Sequence, residues 1–277
     1  MPQMDLETRR RQCARVTLDD LTEGLRRVGV QPGDTVLCHS SLSKFGYVEG
    51  GAETVVEALL KVVGPDGTVA SAAGQPSAEL GSNPVFDVLN TPARRGVISE
   101  AVRRRADGRS PHLVDSISAL GPAAAYLTST HSDTNCGADS PYQKIMASDA
   151  QILLLGVSHN SNTTFEAIEE EIAPPYVKFR EVPGVRIIDE AGEERSLPTR
   201  LHDYDYPYDF NRMNAPLIRA GAQTEIVIGE AIVRRISAAK MRQVVMAAIQ
   251  ADPFALRLRP GQRRLPEIPT SIHDLPQ

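Results

Sequence analysis

Four polar clusters in this sequence carry side chains able to do chemistry. The first is His39-Ser40-Ser41-Leu42-Ser43, whose hydroxyls and backbone N–H groups could hold a phosphate or an amide, or could simply form a turn or a helix cap. The second is Arg109-Ser110-Pro111-His112, followed by Ser116 and Ser118. A guanidinium is a fixed fork of donors suited to a phosphate, and Ser110 adds a hydroxyl; the plainer alternative is a solvated loop Arg. The third is His131, followed by Gly137-Ala-Asp-Ser-Pro141; a lone His is more often a structural hydrogen-bonder than a base. The fourth is Asn162-Thr-Thr-Phe-Glu166-Ala-Ile-Glu169. Glu166 and Glu169 are three apart and share a face of any helix they sit on. Two carboxylates there could bind a cationic amine, and one could take its proton. Glu170 and Glu171 make a solvated acidic face the competing interpretation.

The elements that must position these clusters follow from the hydrophobic pattern. Thr17 with Asp19 and Asp20 starts a helix, with Leu18, Leu21, Leu25 and Val28 at helical spacing. Thr35 to His39 is a short apolar run that reads as a buried strand ending in the first cluster. A second helix over Ala52 to Val63 and a strand from Thr68 follow, an order that suggests an α/β layered fold. Residues 74–96 are rich in Gly, Pro, Ser and Asn and should cross or cover a site. Ile98 to Ala106 is expected as a helix and Asp107 to Ser110 as a turn. Ile152 to Val157 is the clearest buried strand. Thr163 and Thr164 could cap a helix from about Phe165 to Ile172, which Pro174-Pro175 would end. Val185 to Leu197 reads as a hairpin, and 201–216, rich in Tyr, Asp and Pro, as a second substrate-facing loop. Glu225 to Gly229 is expected as a strand, Ala231 to Ile249 as a long helix, and the Arg- and Pro-rich residues 257–277 as a tail. No linker interrupts residues 17–256, which favours one domain.

Composition narrows the classes of function. The 277 residues are 41% hydrophobic and 23% charged, an ordinary globular usage, and with 5% aromatic residues and no Trp the core must be aliphatic. A net charge of −5 gives no general field for nucleic acid or an anionic membrane. No apolar run approaches the roughly 20 residues of a membrane span. The segment Met1 to Arg15 is polar, with Arg9, Arg10 and Arg11 and no apolar stretch after them, unlike a secretory signal. Three widely spaced cysteines, Cys13, Cys38 and Cys136, offer neither a zinc site nor a disulfide framework, consistent with a reducing cytoplasm and no metal. There is no GxGxxG after the first strand, no GxxxxGK[ST], no GxSxG and no HExxH.

The order and spacing of the clusters resemble the aminoglycoside 3-N-acetyltransferase family. The matching stretches are HSSLSKFGYVEGGAETVVEALLKVVGPDGTV, RSPHLVDSISALG, HSDTNCGADSPYQKI, ILLLGVSHNSNTTFEAIEE and Val227 to Ala231, together spanning about 17 to 256. The resemblance implies a single three-layer α/β/α domain with a mixed central sheet, unrelated to the GNAT acetyltransferase fold. It implies acetyl-coenzyme A as acyl donor, bound at His39, Ser40, Ser41 and Ser43 and at Arg109, Ser110, His112 and Ser116. It also implies a small-molecule amine as acceptor, the 3-amino group of an aminoglycoside by default, and hence antibiotic resistance. The chain departs from the family pattern at three places. Glu166 stands where the family has a His, held to be its general base, three residues before Glu169. Leu113 follows His112 where the family has Pro, and Ala72-Ala73-Gly74 replace a Pro-Thr pair.

These residues lead to a direct transfer in which Glu166 is the expected base and Glu169 raises its pKa or holds the substrate cation. A covalent route through Cys38 or Cys136, beside His39 or His131, is the competing mechanism. Three alternatives stand beside the default: a biosynthetic N-acyltransferase acting on another nitrogen, a catalytically impaired coenzyme A-binding relative, and a hydrolase using His131 with Glu169. No segment declares itself an interface, which leaves a homodimer open.

Overall fold

A computed structural model describes residues 13–148 and 150–275; Arg9 to Arg11 lie outside them. Seven strands form the central sheet: β1 (Thr35–Ser40), β2 (Thr68–Ala72), β3 (Gly108–Arg109), β4 (Ile117–Leu120), β5 (Gln151–Leu155), β6 (Gln223–Ile228) and β7 (Ala231–Ser237), in the spatial order β6-β7-β5-β1-β2-β4-β3. The β1–β2 and β1–β5 pairings are parallel and the other four antiparallel, so the sheet is mixed. Among the described residues eight α-helices accompany it: α1 (Leu18–Val28), α2 (Ala52–Val63), α3 (Val97–Arg105), α4 (Ala124–Thr128), α5 (Pro141–Ala147), α6 (Thr164–Ile172), α7 (Asn214–Arg219) and α8 (Ala238–Ala251).

The layering follows from strands that are apolar on both faces. Val36 and Cys38 of β1 and Leu153 and Leu155 of β5 point to one side, where α1, α2 and α3 add Leu21, Leu25, Val56, Leu59 and Val102. Leu37, Ile152 and Leu154 point to the other, under Tyr142 of α5, Phe165 of α6 and Val245 of α8. The result is the three-layer α/β/α architecture that the family resemblance implies. Thr17 caps α1 as expected, its hydroxyl accepting from the Asp20 N–H at 3.2 Å while Asp20 accepts from the Thr17 N–H at 2.9 Å.

Two expectations are corrected. Residues Ala231 to Ile249 do not form one helix: Ala231–Ser237 is strand β7, and α8 begins only at Ala238, where the Ser237 hydroxyl accepts from the Lys240 N–H. Ile232, Val233 and Ile236 are β-branched and Ile228 pairs with Ala231 across a two-residue turn, which makes a hairpin of β6 and β7. The expected turn at Asp107 to Ser110 contains the short edge strand β3. Residues 74–96 carry a strand of their own, Val85–Asp87, which pairs with Arg186–Ile188; that strand pairs in turn with Glu194–Ser196, completing the expected hairpin. Phe86, Val88, Leu113, Val185 and Ile187 form a small core beneath this outlying sheet. Residues after α8 return to the main sheet, where the Ile232 N–H donates to Thr270 O at 2.9 Å.

Gly229 makes the β6–β7 turn possible. Its φ is +58°, and a Cβ there would lie 2.4 Å from the carbonyl oxygen of Phe45. Gly229→Ala should therefore destabilise the protein by about 1–3 kcal/mol, read from the urea midpoint; an unchanged midpoint would contradict this packing.

Candidate active site

The parallel strands β1, β2 and β5 all end at the same edge of the sheet, the usual place for ligands in such folds. A cavity of about 700 Å³ opens there. His39, Ser40 and Ala72 from the strand ends form its floor, Asn160, Thr163 and Glu166 one wall, and Tyr204, Tyr206 and Tyr208 another. Ser77 and Arg95 reach it from the 74–96 segment, so both loops picked out in the sequence meet the cavity.

Helix α6 supplies the central carboxylates. The Asn162 side chain accepts from the Thr164 N–H at 3.1 Å, so Asn162 holds the helix start and Thr163 makes no side-chain cap. Glu166 lies in the first turn, where the helix dipole favours a negative charge. Its side chain is 23% exposed and opens into the cavity. Glu169 does not share this outlook. It is fully buried, accepts from Tyr176 OH at 2.8 Å, and is clamped by both Nε and Nη2 of Arg257. Its role is to neutralise Arg257, whose guanidinium lies 4.0 Å from the centre of the Tyr204 ring.

His202 faces Glu166 instead. Its Nδ1 lies 3.5 Å from Glu166 Oε2 and its Nε2 2.5 Å from Glu170 Oε1. The short strand Arg200–His202, paired with Phe179–Glu181, carries it there, and its backbone N–H donates to Asn135 Oδ1 at 2.7 Å. Burial by itself disfavours a charge on His202, but the bonds to Glu166 and Glu170 and their negative charges carry its pKa up to about 10. Burial acts to raise Glu166 as well, yet His202, Arg257 and Arg95 hold it below the usual carboxylate range. Burial pushes the Asp115 carboxyl up; its partners are Asn135 and, at 3.4 Å, Arg95.

The other residues singled out from the sequence separate into two groups. His39 and Ser40 line the cavity, and His39 Nε2 and Ser40 Oγ are buried without a protein partner. Burial and the charge of Arg95 lower His39 to about 4, so its imidazole is neutral. The Ser41 and Ser43 hydroxyls lie 3.2 Å apart and outside the cavity lining. The remaining residues stand behind the wall. Arg109 spends its guanidinium on the carbonyls of Val88, Thr91 and Ala73, on Ser116 Oγ and on the Phe86 ring, which ties the 74–96 segment to the sheet. The Ser110 hydroxyl accepts from the Ile117 N–H and meets His131 Nδ1 at 3.1 Å; His131 Nε2 sits 2.9 Å from Asn135 O. His131 therefore has both nitrogens engaged, and its ring stacks on His112, 4.4 Å away. His112 Nδ1 accepts from the Asp115 N–H at 2.9 Å, fixing the backbone that presents Asp115.

Both candidate thiols are sealed. Burial pushes Cys38 up to about 12, and burial with Asp115, Glu170, Glu166 and Glu169 nearby pushes Cys136 well above its ordinary value. Donor atoms of Asp115, Cys136 and Glu166 lie within 4.8 Å of one another. The residues missed in the sequence are Arg95, Asp115, Asn135, His202 and Arg257. Loop composition pointed toward two of them, 74–96 toward Arg95 and 201–216 toward His202.

Fold and cavity together define an α/β/α protein whose main cavity opens at the C-terminal ends of its parallel strands. Residues 37–250 match the aminoglycoside 3-N-acetyltransferase family. The chain is 34% identical over 209 residues to aminoglycoside N(3)-acetyltransferase VII of Streptomyces paromomycinus, covering 69% of this chain and 71% of that one. Matches to two further aminoglycoside N(3)-acetyltransferases span 64% and 58% of those proteins. Among solved structures, aminoglycoside acetyltransferase AAC(3)-Xa is 31% identical with a TM-score of 0.75, over 85% of this chain and 93% of that one. A His-to-Ala mutant of AAC(3)-IVa in complex with apramycin is 27% identical with a TM-score of 0.74, over 86% and 94%. The chain belongs to the aminoglycoside 3-N-acetyltransferase family, and by that membership it is an N-acetyltransferase.

Removing Glu169 would leave Arg257 buried and unpaired. Glu169→Gln is expected to destabilise the fold by about 3–5 kcal/mol, measured by urea unfolding; a loss below about 1 kcal/mol would contradict the pairing.

Proposed function

We propose that this chain moves an acetyl group from acetyl-coenzyme A to an amine of an aminoglycoside by direct attack of nitrogen on the thioester. The observation that carries this is Glu166: a carboxylate at the family's motif position, ionised, and open to the cavity where three parallel strands end. An ammonium nitrogen has no lone pair to attack with, so it must lose a proton and the site must hold the two reactants together. Solvent takes that first proton, and Glu166 takes the second, shed as the nitrogen bonds to the thioester carbon. The pantetheine arm lies across the ends of β1 and β5, where the unpaired groups of His39 and Ser40 gain partners from it. Arg109, Ser110, His112, Ser116 and His131 act from behind the wall, by fixing the segments that carry Arg95 and Asp115.

Direct transfer is supported by the two sealed thiols, neither of which is available as a nucleophile. A second acceptor class has its own support. The cavity carboxylates already have cationic partners: Glu166 has His202, Asp115 has Arg95, and Asp205 has Lys178 at 2.8 Å. Little unpaired negative charge is left for a polycation, and the three tyrosines suit a ring bearing a single nitrogen. A panel of acyl-coenzyme A donors against aminoglycosides and cyclic monoamines, read by mass spectrometry, separates the two.

With the best acceptor, Glu166→Gln should lower kcat/KM by about 10²–10⁴-fold; full turnover would remove Glu166 from this role. Cys136→Ala should keep turnover, and radiolabelled acetyl-coenzyme A should leave no label on the protein. A labelled Cys136 peptide would establish the covalent route instead.

A further inference from the structure

Glu166 and Glu170 are one turn apart on α6 and close on the same imidazole from two sides. Glu170 is held by groups other than His202 as well: it accepts from the Cys136 N–H at 2.7 Å and from the Thr134 hydroxyl at 2.6 Å, and its side chain is 5% exposed. The His202 ring is fixed as well, by its strand and by stacking on Tyr204 with ring centres 4.7 Å apart. Other titratable or charged groups face this pair from every side: Asp115 and His112 from the segment between β3 and β4, Arg95 from the 74–96 segment, Tyr204 from its own segment and Arg257 from beyond α8. Among the described residues, no Lys or Arg forms an ion pair with Glu166; its one cationic partner at such a distance is His202.

We propose that His202 is the positioning residue of the base: an imidazolium, anchored from behind by Glu170, that keeps Glu166 ionised and aims its Oε2 into the cavity. This rests on the acyl-transfer reading above. Burial with no counter-charge pushes a carboxyl toward its protonated form, and only the ionised form can accept a proton. The imidazolium reverses that tendency from a different segment of the chain, 36 residues further on. The step balances as follows. An ammonium acceptor first loses one proton to solvent. The nitrogen then forms its bond to the thioester carbon, and its second proton passes to Glu166 Oε2. The C–S bond breaks with its electron pair on sulfur. Glu166 returns that proton to the thiolate, leaving the amide and free coenzyme A.

Two measurements test this, and the first does not depend on turnover. Imidazole NMR of the wild-type protein should show His202 titrating well above the ordinary value of about 6.5; a midpoint at or below that value overturns the proposal whatever the enzyme's substrate. The second is the acid limb of kcat/KM for acetyl transfer in wild type, His202→Gln and His202→Lys. The acceptor's own ionisation is common to all three proteins and cancels in the comparison. Loss of the positive charge raises the pKa of Glu166, so the limb of the Gln variant should move to higher pH, by about one to three pH units. The Lys variant, which keeps a cation there, should return it toward wild type. A uniform fall in rate with an unmoved limb would mean that His202 is only structural and would overturn the proposal. Absence of acyl transfer in the wild type would instead overturn the reading on which it rests, and the NMR titration would still decide the charge of His202.

Discussion

The site is organised by the need to neutralise four carboxylates on one nine-residue helix. Glu166, Glu169, Glu170 and Glu171 succeed one another on α6, and each is met by a cation from the C-terminal half of the chain: Glu166 and Glu170 by His202, Glu169 by Arg257, Glu171 by Arg242. Burying a carboxylate without a partner costs several kcal/mol. The buried carboxylates Glu169 and Glu170 therefore depend on Arg257 and His202, which come from beyond α8 and from the 200–210 segment.

This explains why the cavity has the walls it has. Bringing His202 to α6 brings Tyr204, Tyr206 and Tyr208 with it. Bringing Arg257 in places a guanidinium against Tyr204, with Tyr208 and Phe210 less than 6 Å from it. The opposite wall is set by Arg109, whose hydrogen bonds to three carbonyls hold the 74–96 segment down and so present Arg95 and Ser77. A fork of donors that a sequence would offer to a phosphate is used here to fasten a loop.

Much of the layered fold was legible in the sequence, because β1 and β5 carry apolar runs at Val36–Cys38 and Ile152–Leu155 and α1 and α2 carry clean helical spacing. Strand β7 was not. Its alternation is hidden by Arg234, which is 2% exposed and held by Glu225 and by the carbonyls of Val157 and Pro269. A buried charge in a strand looks like the polar face of a helix until its partners are known. The candidate site divides the same way. Glu166, His39 and Ser40 could be found by motif and position, since each follows a recognisable strand. His202 and Arg257 lie 36 and 88 residues from the glutamates they face, and no local spacing rule connects them. Glu169 looked like a cavity residue because it is three residues from Glu166. On α6 that step carries it round toward Arg257, while the four-residue step to Glu170 stays with His202.

The account turns on where the acyl donor lies relative to Glu166. A crystal structure of the protein with coenzyme A and an amine acceptor measures this directly. The account predicts the pantetheine across the ends of β1 and β5, its sulfur and the acceptor nitrogen both beside the Glu166 carboxylate. A nucleotide bound outside this cavity, or a Glu166 side chain turned to bulk water away from the thiol, would contradict it.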